Sequence, residues 1–163
     1  MTRLKLPAAV LLASLVACLG QAAYYYRRLP WVAVSHFNAA GAPNGWMNKP
    51  FLVGLYVGTE LLIALSFVVS ALAVARLPAD YINLPNKEHW LSPERREETL
   101  AWLAASFLWF GTATLVLLFD IFGQMLSVNL GASSELSHPI FSLGLYFAYS
   151  AYWTVSLWRR FRL

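Results

Sequence analysis

The sequence holds one cysteine, Cys18, so neither an intrachain disulfide nor a cysteine-based metal cluster can form within the chain. Charge is scarce as well. Asp, Glu, Lys and Arg make up 12% of the 163 residues, against about 25% in soluble domains. A Ser-His-Asp arrangement, a phosphate-binding glycine loop and a helical zinc-protease motif are all missing, which speaks against a hydrolase or a nucleotide-driven pump. Internal repeats and low-complexity stretches are missing too, and nothing marks a second domain, so residues 1–163 read as one unit.

What the chain has instead is apolar: 59% hydrophobic residues, with seven Trp, eight Tyr and ten Phe. Four runs stand out, at Leu6–Tyr26, Phe51–Ala75, Leu100–Leu126 and Ile140–Trp158. Each is close to or above the roughly 20 residues that cross a bilayer's hydrocarbon as a helix. No run alternates in the manner of barrel strands, so spanning segments must satisfy their backbone as helices. The expected fold is therefore all-α: a four-helix membrane bundle with an outer loop at 27–50 and an inner loop at 76–99. Aromatic rings suit the two interfaces of such a bundle.

Orientation follows from the basic residues, which cluster at the ends of the apolar runs. That placement points to lipid as the partner and away from nucleic acid, despite the net charge of +4. Arg3, Lys5, Arg76, Lys87, Arg95, Arg96, Arg159, Arg160 and Arg162 fall on one side, against Arg27, Arg28 and Lys49 on the other. The positive-inside rule then puts both ends of the chain and the 76–99 loop in the cytoplasm. A rival reading of the first run stays open: Leu15-Val16-Ala17-Cys18 resembles a lipoprotein processing site.

The outer loop contains His36-Phe37-Asn38 and Gly41-Ala42-Pro43-Asn44-Gly45-Trp46. Val32 and Val34 favour an extended first half, while Gly41, Pro43 and the Asn44-Gly45 pair supply turn geometry in the second. The inner loop contains Asn83-Leu84-Pro85-Asn86-Lys87, Trp90 and Ser92-Pro93-Glu94-Arg95-Arg96. Ser92 as N-cap and Pro93 as first helical residue predict that the third long helix starts at Pro93.

These two segments resemble the signature of an uncharacterised bacterial membrane domain family that is also found in Sdp-type toxin immunity proteins. The resemblance runs from Leu29 to Arg96, and Asn44 departs from the aspartate more usual there. It implies a polytopic plasma-membrane protein, with immunity or toxin sensing known for some relatives, and it supplies no catalytic residues. Candidate ligand- or partner-binding residues are His36, Asn38, Gly41, Pro43, Asn44, Gly45 and Trp46 outside, and Asn83, Pro85, Asn86, Lys87, Trp90, Arg95 and Arg96 inside.

Among the polar residues inside the apolar runs, Glu60, Asp120 and Gln124 stand out. Glu60 lies about ten residues into the second, hence roughly 15 Å deep. It reads either as a proton or cation site or as a neutral acid bonded to a neighbouring helix. Asp120, Gln124 and Ser127 share one face of the third run near its outer end. With His36 and His138, Asp120 forms a weak candidate set for zinc, its spacing matching no established metal pattern; interfacial hydrogen bonding is the other reading. No cofactor is indicated. Gly54 and Gly58 form a Gly-x-x-x-Gly pair suited to close helix packing, within the chain or between copies, with Gly58 about 200° from Glu60.

Three functions fit these features. The first is a non-enzymatic module recognising an extracytoplasmic ligand or another membrane protein through the outer loop. The second is a small transporter or membrane enzyme using Glu60 or Asp120 for proton or cation handling. The third is a structural subunit of a membrane complex.

Overall fold

A computed structural model describes residues 2–162, with the backbone alone described at Thr2, Arg3 and Ala79. Four long helices carry the chain: α1 (Thr2–Tyr26), α2 (Lys49–Arg76), α4 (Arg96–Asn129) and α5 (Pro139–Phe161), with a four-residue α3 (Lys87–Trp90) between α2 and α4. Between α1 and α2 run two antiparallel strands, β1 (Val32–Phe37) and β2 (Pro43–Asn48). The expectation of an all-α chain is corrected by this hairpin. Its cause is legible afterwards: Ala33 is fully buried between exposed Val32 and half-buried Val34, the period-2 pattern of a half-buried strand.

Three helices are long and apolar enough to cross a membrane, at Leu4–Tyr26, Lys49–Arg76 and Arg96–Asn129. The fourth expected span does form a helix, of 23 residues. Its tyrosines, serines and threonine keep it outside that set. Large apolar side chains are exposed along all of these helices, among them Leu12, Leu62, Leu65, Val116, Ile140 and Phe147. A water-facing bundle would bury them.

Helix boundaries follow local chemistry. Asn48 caps α2 by accepting the Phe51 N–H at 2.9 Å, and Pro50 sits in the first turn, where its missing N–H costs nothing. The third spanning helix starts at Arg96 rather than Pro93. Ser92 to Arg95 form a separate turn instead, in which the Ser92 carbonyl accepts from both Arg95 and Arg96. Glu94 is held below the ordinary carboxylate range there by its own backbone amide and the Ser92 hydroxyl.

Helix α4 is the axis of the molecule, packing against α1, α2 and α5. It approaches α2 closely where Gly111 meets the Phe67 ring. A Cβ at position 111 would stand 2.7 Å from Phe67 Cγ and 2.8 Å from its Cβ. Gly111→Ala is expected to lower stability by about 1–3 kcal/mol, the usual cost of overpacking. Thermal unfolding in detergent measures it, and adding Phe67→Leu should restore most of the loss.

Candidate functional site

The hairpin lies where α1 ends, α2 begins and α4 ends, the side expected to face outward. Asn129, in the last turn of α4, grips β1 with both ends of its amide: Oδ1 accepts the Val34 N–H at 2.7 Å and Nδ2 donates to the Val34 carbonyl at 3.0 Å. A second backbone bond, from Leu136 N–H to the Gly41 carbonyl at 3.0 Å, ties the hairpin tip to the α4–α5 connection. Gly41 has φ of +83°, and a side chain there would crowd the Leu136 backbone. The inward side of the hairpin, with Ala33 and Met47, joins a core of Ala22, Leu29, Leu52, Phe122 and Leu126.

Around this clamp the predicted outer residues take definite places. Asn38 builds the turn: its side chain accepts the Ala40 and Ala42 amides at 2.9 and 3.0 Å. Asn44 and Gly45, expected as a tight turn, lie instead within β2, and only Gly41 of the hairpin glycines has positive φ. The bulged register brings Gly45 opposite His36, and a Cβ on Gly45 would touch His36 Cβ at 3.0 Å. Pro43 opens β2. On the outward side Trp46 is 59% exposed and Val32 58%, beside Trp31 at 66%.

The inner motif has a structural role. Asn86, in the left-handed conformation with φ of 52°, donates its side-chain amide to the Phe161 carbonyl at 2.9 Å. The Trp90 indole donates to the same oxygen at 3.1 Å, and the Arg160 guanidinium lies 4.7 Å over the Trp90 ring. Arg96 donates to the Leu77 carbonyl at 2.9 Å, while Arg95 bonds to His89. Asn86, Trp90 and Arg96 thus satisfy the last carbonyls of α5 and α2, which a helix cannot do for itself. Asn83 and Pro85 stay exposed, and Lys87 opens α3.

At the outer end of the seam between α4 and α5 a polar cluster forms. Asp120 Oδ2 accepts Gln124 Nε2 at 2.7 Å and the Ser142 hydroxyl at 2.6 Å, and Asp120 Oδ1 lies 3.3 Å from His138 Nε2. Gln124 Oε1 accepts the His138 backbone N–H at 2.9 Å. His36 is not among them: its Nδ1 meets the Ser35 hydroxyl at 2.9 Å. Among the described residues no three His, Cys, Asp or Glu gather around a point, so the zinc set is not assembled. Ser127 lines the cavity beside the cluster. Sequence reasoning missed Ser142, because a serine in an apolar run usually bonds its own helix; here it does that too, to the His138 carbonyl.

Glu60 presents the opposite situation. It is fully buried among α1, α2 and α4, and neither carboxyl oxygen has a hydrogen-bond partner. Cys18 and Tyr56 are its polar neighbours, and both also reach other acceptors, the thiol the Leu115 carbonyl at 3.6 Å and the phenol Gln21 at 3.2 Å. Cys18 is fully buried as well, a neighbour that spacing along the chain could not reveal. Gly54 and Gly58 face away, with no atom within 4 Å of where a Cβ would stand.

Residues 13–59 match the family described as a domain of unknown function, DUF1648. The match runs from within α1 through the hairpin into α2 and ends one residue before Glu60. The chain is thus similar to an uncharacterised domain family over its hairpin region, while α4, α5 and the inner motif lie outside the match. No curated protein and no solved structure matches the chain.

Two consequences can be measured. Asn129→Ala should raise the exchange rate of the Val34 amide at least tenfold, since removing one partner of a part-buried pair costs about 1–3 kcal/mol. Glu60→Met should raise the unfolding midpoint, because an unsatisfied buried polar group is replaced by an apolar one of similar length. A lowered midpoint would show that the acid has a partner in the folded protein.

Proposed function

We propose that the chain is a multi-pass protein of a plasma membrane, the inner membrane of a bacterium, which recognises an extracytoplasmic ligand or another membrane protein through its outer hairpin without catalysing a reaction. The observation that carries this reading is the hairpin's two-sidedness. One side is clamped to α4 by Asn129 and buried, and the other presents Trp31, Val32 and Trp46. Rigid, exposed tryptophans are the side chains on which binding energy concentrates. An immunity-like role, in which the hairpin meets a toxin, fits the same geometry, as does a subunit role using the open face at Gly54 and Gly58.

Four crossings with both ends inside go with this reading. Helix α5 is about 34 Å long, sufficient to span the hydrocarbon. Its polar side looks at α4, through Ser142, Tyr146 and Trp153, while Ile140, Phe147, Val155 and Trp158 point outward. Hydroxyls at Ser150 and Thr154 donate to carbonyls one turn back, so they are satisfied within the helix. Such polar-in, apolar-out placement suits lipid.

A second reading, proton or cation handling, is favoured by one observation: the unpartnered burial of Glu60. Ionisable side chains inside spanning helices commonly mark ion or proton pathways. Glu60→Gln separates the two, because it should abolish ion flux under this reading and leave hairpin recognition intact.

Two measurements test the main proposal. A photo-crosslinker at Trp46 should capture a discrete protein or ligand in native membranes, and Trp46→Ala should weaken that association at least tenfold while changing stability by less than about 0.5 kcal/mol. Capture of lipid alone at position 46 would overturn it. In a Cys18→Ala background, a cysteine at Ser134 should react with an impermeant reagent in intact cells and one at Pro93 only after permeabilisation.

A further inference from the structure

Two cavities meet at Asp120. One, of about 380 Å³, runs along the α4–α5 seam and is walled by Val116, Leu117, Phe141 and Leu145. The other, of about 280 Å³, has Gln21, Gln124, Ser127 and Ser137 in its wall beside Phe119 and Gly123. Asp120 and His138 line both. The apolar cavity extends along α4 from Asp120 to Ala113, about 10 Å of helix. One carboxylate therefore stands where an apolar slot meets an open groove that carries polar side chains.

That carboxylate is held ready for a donor. Oδ2 is fixed by Gln124 and Ser142, both buried, and Gln124 is itself fixed by the His138 backbone. Oδ1 has one long bond, 3.3 Å to a half-exposed imidazole. A carboxylate oxygen accepts two hydrogen bonds, so Oδ1 retains capacity. Among the described residues neither cavity is lined by a lysine or arginine. An anionic head would meet the like charge of Asp120, with the half-exposed His138 imidazole as the one basic side chain beside it. Tyr146, whose hydroxyl is 3.0 Å from that of Thr114, is a fixed part of the slot wall.

We propose that this junction binds an amphiphile with a primary-ammonium head and a single alkyl tail, the head on Asp120 Oδ1 in the open groove and the tail in the slot between α4 and α5. The site is separate from the hairpin, and its occupant enters from the bilayer.

Dodecylammonium is the probe, with dodecanol and dodecanoate as comparators of equal chain length. The full chain, in nanodiscs of phosphatidylcholine, is titrated with each and referred to empty nanodiscs. Dodecylammonium should bind saturably, one per chain, and at least tenfold more tightly than either comparator. Asp120→Asn should remove that preference, and Leu117→Trp, which fills the slot without touching the carboxylate, should weaken dodecylammonium at least tenfold. Equal excess binding of all three probes, no saturable binding, or an unchanged preference in Asp120→Asn would overturn the proposal. Should Asp120→Asn fail to fold, the comparators on the unsubstituted protein and Leu117→Trp still decide it.

Discussion

The rest of the structure depends on the length and position of α4. Thirty-four residues make a helix of about 51 Å, well beyond the roughly 30 Å of hydrocarbon. Its outer end therefore reaches the hairpin and its inner end reaches the loop after α2, so one helix organises both polar layers. At the outer end Asn129 supplies the clamp on Val34, and at the inner end Arg96 supplies a donor for the Leu77 carbonyl. Between them the helix is small or branched where α1 and α2 approach, with Ala104, Leu108, Gly111 and Leu115 buried.

Two arrangements of polar groups inside this frame have opposite energetics. At the α4–α5 seam, Asp120, Gln124, Ser142 and the His138 backbone satisfy one another, which lets polar atoms sit beside apolar walls at small cost. Glu60, fully buried beside Cys18 and Tyr56, has no hydrogen bond of comparable geometry to its carboxyl oxygens. Packing alone would favour an apolar residue at that position. Its presence is the strongest local departure from what stability asks of the sequence, and that separates it from the candidates whose bonds close within the fold.

Much of the architecture was legible because apolar runs of sufficient length have few alternatives to a helix. Three of the four runs meet the length and apolarity of a span, and the fourth is helical within a residue or so of its expected start. The hairpin was less legible: Val32 and Val34 signalled extended backbone, but Asn44-Gly45 imitated a turn, and the turn belongs to Asn38 and Gly41. Pro93 imitated a helix start in the same way. At the sites, helical spacing sufficed to place Asp120 and Gln124 together. It could not supply Ser142 or Cys18, which arrive from other helices, nor show that Asn86 and Trp90 converge on one carbonyl of Phe161. Contacts across long sequence separations carry no periodic signature.

The double grip of Asn129 has a mechanical side. Because it holds both the N–H and the carbonyl of Val34, the hairpin has no hinge of its own relative to α4, and its bearing above the membrane is that of the helix. A spanning helix longer than the local hydrocarbon accommodates the mismatch by tilting. Bilayer thickness then becomes a setting for the direction in which Trp31 and Trp46 face, so that the same chain offers its tryptophans at different angles in thin and thick membranes.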